Sequence, residues 1–240
     1  MAIELRTHVG NVRRQNEDAA FFDEKAQVFA VADGMGGHLA GEVASALAIE
    51  EVRAMAGLGE PASISLMRDA VSRAHQAICH HAQEHAECAG MGTTLSVIWR
   101  GGRYMYIAHV GDSRIYRMRD GSLEQITQDH SLVEELVRAG LITHKQARVH
   151  PRRNVITRAL GTGGDSTPDL LAADTRQGDV WLICSDGLNS MLPDEVIAAQ
   201  LSAAGTPKGL KAAADELIRL ALEAGGKDNV TLVMVLDEEA

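Results

Sequence analysis

Aromatic residues are scarce: three Phe, three Tyr and two Trp make up 3% of the chain. A core must therefore come from Val, Leu, Ile, Ala and Met, and the 45% hydrophobic content of the 240 residues is enough to build a sizeable one. Cysteine is nearly absent as well. Three residues, Cys79, Cys88 and Cys184, at no recognisable pair spacing, argue against a disulfide framework and read as reduced thiols of a cytoplasmic protein. Basic charge is in deficit, with 23 Lys and Arg against 33 Asp and Glu and a net charge of −10. No nucleic acid and no anionic membrane surface is expected as the main partner, since both need a basic face. Apolar runs such as Val230 to Leu236 are far too short to span a bilayer, and the N-terminus lacks the apolar core of a signal peptide. A single domain over residues 1–240 is expected, with no repeat, linker or low-complexity tract to divide it.

What is present centres on Val28 to His38, Val-Phe-Ala-Val-Ala-Asp-Gly-Met-Gly-Gly-His. An apolar run of strand length stops on the carboxylate of Asp33 and then loosens into glycines. Asp-Gly is a strong hairpin signal, but a hairpin needs a second strand at once. Instead Leu39 to Met55 follows, with Ala40, Val43, Ala44, Leu47, Ala48 and Val52 at helical spacing. Asp33 is thus held at the exit of a buried strand, where a site is expected more than a plain turn.

Strands are expected at Ile3–Val9, Ala19–Phe22, Gln27–Ala32, Thr94–Trp99, Tyr104–Val110, Arg114–Met118, Ser122–Ile126, Leu170–Asp174, Val180–Cys184 and Val230–Leu236. Gly101-Gly102 and Asp120-Gly121 read as hairpin turns. A second long helix, Ser63 to His85, carries an apolar stripe of Ile64, Met67, Ala70, Val71, Ala74 and Ile78. Short helical pieces at Ser131–Ala139 and Thr143–Val149 and helices at Pro193–Leu201 and Lys208–Ala224 complete the pattern. The order does not alternate strand and helix, so a doubly wound sheet is excluded in favour of an α+β fold with antiparallel sheet in the middle and helices outside.

The Asp33 feature recurs. Tyr104–Val110 runs into Gly111-Asp112, Val180–Cys184 runs into Ser185-Asp186, and Asp228-Asn229 feeds Val230–Leu236. Four aspartates at strand termini can converge on one sheet edge, where two like charges about 4 Å apart cost roughly 4 kcal/mol at an effective dielectric of 20. Such a cluster calls for cations. Oxygen-only ligands, with no His or Cys at these positions, select Mg²⁺ or Mn²⁺ over Zn²⁺. Two such ions about 3.5–4 Å apart form the two-metal hydrolase arrangement, in which a bridging water becomes the nucleophile. A phosphate ester is the natural substrate, and Arg13, five residues before Asp18, is the candidate clamp on its oxygens.

With these pieces in view the chain resembles the metal-dependent protein serine/threonine phosphatases of the protein phosphatase 2C type, in their compact bacterial form. The matching segments are Val12 to Asp18, Asp33-Gly34-Met35-Gly36-Gly37-His38, Gly92-Thr93-Thr94, Gly111-Asp112-Ser113-Arg114, Ser185-Asp186-Gly187-Leu188 and Asp228-Asn229. Each is short; their order over nearly the whole chain is highly specific. The resemblance implies a central antiparallel β-sandwich with a pair of helices on each face and the metals at one end. It implies that Asp33 bridges two Mn²⁺ or Mg²⁺ ions, that Gly34 offers its carbonyl, and that Asp186 and Asp228 complete the site. By the same resemblance Glu17 and Asp18 order metal-bound water, Arg13 holds the phosphate, and a third ion is held by Asp112 and Asp186. Asp112 also has another account, an ion pair to Arg114. The resemblance further implies phosphorylated proteins as substrates, a partner serine/threonine kinase, and a mobile flap over residues 130–154. One departure stands out: Met35 occupies the position where some relatives carry a histidine that protonates the leaving group, which leaves His38, three residues on, or a metal-bound water as the candidate donor.

Two other readings compete. His81-Ala82-Gln83-Glu84-His85 matches the pattern of inverted zinc proteases, against the plainer account of a polar last helical turn. A catalytically inactive binding or sensor module is the non-enzyme alternative, opposed by a carboxylate at every matched ligand position. Gly161-Thr162-Gly163-Gly164 lacks the Lys-Ser/Thr of a phosphate loop and reads as a loop before a strand.

Overall fold

A computed structural model of the chain describes residues 1–36 and 40–238. The elements run β1 (Ala2–His8), β2 (Asp18–Asp23), β3 (Val28–Met35), α1 (Ala40–Gly57), α2 (Ile64–Glu84), β4 (Gly92–Thr93), β5 (Leu95–Gly101), β6 (Tyr104–Val110), β7 (Arg114–Arg119) and β8 (Ser122–Gln125). They continue with α3 (Leu132–Arg138), α4 (His144–Arg148), β9 (Asp169–Asp174), β10 (Val180–Cys184), α5 (Asp186–Asn189), α6 (Asp194–Ser202), α7 (Pro207–Glu223) and β11 (Val230–Leu236). Two antiparallel sheets result, one ordered β1-β11-β10-β7-β8 and the other β2-β3-β5-β6-β9, with β4 paired to β3. This is the expected α+β sandwich.

Three apolar layers hold it together. The alternation of β3 shows how: Val28, Ala30 and Ala32 face α1 and α2, while Phe29 and Val31 face the other sheet. A strand buried on both faces must be apolar throughout, which is why Val28–Ala32 reads as an unbroken run. Between the sheets lie Phe29, Ile98, Met105, Ile107, Ile115 and Trp181, so two of the few aromatics fill the central layer. On the far side Leu182, Leu232 and Met234 pack against Leu210, Ala214 and Leu217 of α7. Each such side chain, fully withdrawn from water, contributes about 1.5–3 kcal/mol before entropy is counted.

Local signals set the boundaries. The Ser63 side chain accepts from Leu66 N–H to cap α2, and Thr143 and Gln146 form a capping box on α4. Asp120 and Gly121 both take positive φ in the β7–β8 turn, as a primed hairpin turn demands. Thr94, expected within β5, precedes it, because its hydroxyl serves the backbone of Asp33. Two elements carry no sequence signal: β4 has two residues and α5 four, too short for any periodicity.

Candidate metal centre

Antiparallel pairing brings the strand-end acids to one end of the sandwich. Asp18 opens β2 directly opposite Asp33 near the end of β3. Asp112 follows β6, Asp186 follows β10, and Asp228 precedes β11, which lies beside β10. The two sheets are stitched together at this end. Ser185 Oγ donates to Asp18 Oδ2 at 2.7 Å, and Asn229 Oδ1 accepts from Glu17 N–H at 2.8 Å. Asn229 Nδ2 donates to the carbonyls of Val9 and Gln15, so one buried amide anchors both ends of the loop that carries Arg13.

Asp33 is fixed through its backbone. Its N–H donates to Thr94 Oγ1 at 2.9 Å, its carbonyl accepts from Thr94 N–H and Thr93 Oγ1, and Thr94 Oγ1 lies 2.9 Å from Ser113 Oγ. Gly34 is required by close approach: a Cβ there would lie 2.1 Å from Gly41 O and 2.5 Å from Glu17 O. The start of α1 and the Arg13 loop thus press backbone to backbone on the strand end.

A cleft of about 560 Å³ opens over these groups, lined by Arg13, Glu17, Asp33, Gly34, Met35, Asp112, Asp186 and Asp228 and, opposite, by residues between Asn154 and Gly164. Burial, and then the charges of Asp18, Asp186, Asp112 and Asp228, push the Asp33 carboxyl well above the usual carboxylate range. Asp112 is driven the same way by burial and by Asp186 and Asp129. Asp186 is raised to about 7 and Asp18 to about 6, by burial first, with Asp228 adding to both. Glu17 also rises, mainly by burial.

A divalent cation fits this environment. The donors are all oxygen, the carboxylates resist ionising together, and Asp18 Oδ1 is buried with no hydrogen-bond partner among the described residues. Among those residues, no three His, Cys, Asp or Glu side chains gather into a ready chelate. Oxygen donors with water completing the shell are the habit of Mg²⁺ and Mn²⁺ rather than zinc.

Arg13 reaches into the cleft, half exposed, with Nη2 2.8 Å from Asp228 Oδ2. Arg114 does not pair directly with Asp112: it grips Asp129 with both ends of its guanidinium, at 2.7–3.1 Å, and donates to Tyr116 Oη, though its charge still acts on Asp112. Asp112 is left facing the cleft. Met35 lines the cleft wall beside Gly92, and His38 lies outside the described residues. The zinc pattern on α2 does not assemble. The rings of His81 and His85 stack at 4.2 Å while Glu84 pairs with His80 at 3.2 Å.

Several supporting residues went unassigned in the sequence. Thr93, Thr94 and Asn229 sit inside matched segments, which was their only signal. His130 gave none: its Nδ1 accepts from Gly111 N–H at 3.1 Å, next to Asp112, and its Nε2 faces Asp169 and Arg158, each at 3.2 Å. Behind it His109 is kept neutral, its pKa lowered to about 3 by burial and by His130.

Comparison with known proteins shows which family the chain resembles over most of its length. The family model described as Protein phosphatase 2C matches residues 8–219. The serine/threonine protein phosphatase PstP of Mycobacterium tuberculosis is 45% identical over 233 residues, covering 95% of this chain and 43% of PstP. The chain therefore spans less than half the length of that relative. The serine/threonine phosphatase stp of Listeria welshimeri is 37% identical, covering 98% of this chain and 95% of its own. Among solved structures, the catalytic domain of PstP in complex with two manganese ions superposes with a TM-score of 0.86 at 40% identity, covering 97% of this chain and 96% of that one. Among the described residues, no helix is long and apolar enough to cross a membrane.

Proposed function

We propose, from the premise that the chain belongs to the protein phosphatase 2C family, that it is a metal-dependent phosphatase removing phosphate from phosphoserine and phosphothreonine of proteins. The observation that carries this reading is the convergence of mutually repelling carboxylates opposite Arg13 in one cleft. Asp33, the Gly34 carbonyl, Asp186 and Asp228 would hold two Mn²⁺ or Mg²⁺ ions, and Asp112 with Asp186 a third. When bound, the cations neutralise the carboxylates, stabilise charge developing on the phosphoryl group and supply an activated water at neutral pH.

The remaining work falls to the chain itself. Arg13 leaves Asp228 to grip two phosphate oxygens, which fixes the ester for displacement. Glu17 and Asp18 accept hydrogen bonds from water and orient it in the cleft. Met35 has no proton to give, so His38 is assigned as the donor to the leaving serine or threonine oxygen. Residues 130–154 act as a flap of one catalytic domain that takes in residues 1–240. A second cleft, of about 830 Å³, shares Asp112, Asn154 and Asp186 with the first and is bordered by α3 and α4, giving the substrate polypeptide a course away from the metals. The reading places the enzyme in the cytoplasm, in keeping with its free cysteines, acting against a serine/threonine kinase.

The test is release of phosphate from a phosphothreonine peptide with Mn²⁺ and with EDTA. Arg13→Ala should raise KM about tenfold or more, the worth of a charge-assisted contact. A folded, Mn²⁺-binding protein with no turnover on any phosphopeptide would overturn the assignment.

A further inference from the structure

One arrangement outside the metal centre bears on the same cleft from behind. His75 and Cys79, four residues apart on α2, share a helix face. Gly161 N–H donates to His75 Nδ1 at 3.2 Å, which leaves the proton of the neutral imidazole on Nε2. Nε2 lies 3.5 Å from Cys79 Sγ, and the thiol in turn donates to Gly161 O at 3.9 Å. Three hydrogen bonds therefore close a ring, and both backbone groups of Gly161 end on α2.

Packing enforces the same contact. Gly161 has φ +81°, and a Cβ there would lie 2.2 Å from Ile78 Cγ2 and 3.0 Å from Met91 O. Leu160, just before it, exchanges both backbone hydrogen bonds with Thr93. The residues just after it are cleft wall: Thr162 and Gly164 face Arg13 and the carboxylates. Thr162 Cγ2 also fills the space over Gly92, 2.7 Å from where a Cβ would stand. At Gly161, then, the wall is held by a helix that contributes no residue to the metal centre.

We infer that His75, aided by Cys79, is a positioning residue that fixes the Gly161–Gly164 wall and through it the seat of the substrate polypeptide. The inference rests on the phosphatase reading for its consequence, though not for the ring itself. A thiol is a weak donor, so His75 carries the larger share. Asn at 75 places an acceptor oxygen close to the Nδ1 position, and Ser at 79 keeps a donor.

The experiment uses the full chain with Mn²⁺ and two readouts. Amide exchange at Gly161 should quicken about tenfold in His75→Ala, the loss of one hydrogen bond, and return towards wild type in His75→Asn. KM for a phosphothreonine peptide should rise about fivefold in His75→Ala, with kcat on p-nitrophenyl phosphate within about twofold of wild type, and His75→Asn should restore it. Unchanged Gly161 exchange in His75→Ala overturns the ring. Faster exchange with wild-type KM, or equal loss on both substrates in both variants, overturns the positioning role. A wild-type protein that hydrolyses neither substrate refutes the phosphatase reading and with it the consequence for substrate, and the exchange readout still decides the ring.

Discussion

Asp33, Asp112, Asp186 and Asp228 stand on ends of strands paired along most of their length, whereas the opposite side of the cleft, from Asn154 to Gly164, is attached through isolated bridges, Ser131 to Ile156 and Thr93 to Leu160, and closed on itself by one from Arg158 to Asp165. The floor places charge where the sandwich cannot adjust. The wall leaves apolar side chains in solvent nearby, Leu141, Val149 and Val155 among them. The difference separates two tasks. Holding cations and a phosphoryl group needs positions fixed to fractions of an ångström, which a buried sheet supplies. Accepting different polypeptides needs a surface with little stability at stake.

The floor should break first and hardest. Asp186→Asn removes a charge while keeping the shape, and Mn²⁺-dependent turnover should fall about a thousandfold, the scale of losing a group that organises transition-state charge. The same variant should melt higher than wild type in EDTA at pH 8, because one repelling carboxylate is gone. Turnover within tenfold of wild type would remove Asp186 from the site. Asn229→Ala comes next. It leaves the Val9 and Gln15 carbonyls and Glu17 N–H without their partner, at about 2–3 kcal/mol in urea unfolding.

Metal removal tests the floor's charge directly. Folded Asp186 and Asp18 bind protons up to about 7 and about 6, while the unfolded chain gives them up near 3.9. Between those values the folded state holds more protons, so stability present at low pH is lost as pH rises from about 4 to 7. In EDTA the chain should lose about 4 kcal/mol between pH 5 and pH 8, at about 1.4 kcal/mol per pKa unit crossed, and saturating Mn²⁺ should restore it. A Tm in EDTA that stays flat or climbs over this range would contradict the mutual repulsion.

The same division explains what could be read in advance. Asp33, Asp112, Asp186 and Asp228 were visible because each interrupts an apolar run, and the runs β6, β10 and β11 were located to the residue. The resemblance then added Glu17, Asp18 and Gly34, the last in a role that depends on a backbone approach no residue type announces. His130 and His75 were not legible as supports. Each acts on a backbone group distant in sequence, Gly111 for one and Gly161 for the other. Such contacts leave no period and no spacing. Of the wall, only Gly161-Thr162-Gly163-Gly164 was singled out, as a loop before a strand, because the wall's hydrogen bonds are scattered rather than laddered.

The smallest effect on stability should come from the 130–154 segment beside the wall, and it sharpens the comparison most. Val149 and Leu141 are 78% and 70% exposed, so replacing either by Ser should change unfolding free energy by no more than about 0.5 kcal/mol. If the covering segment selects substrates, those replacements should change the ranking of phosphopeptides that differ in apolar residues beside the phosphothreonine, while p-nitrophenyl phosphate turnover holds. Equal kcat/KM shifts on every peptide would mean that Val149 and Leu141 do not read the chain. In that case selection would have to lie deeper, along the α3 and α4 border of the second cleft, where Arg114 and Asp129 are locked together and leave His144 and Arg148 to meet the peptide.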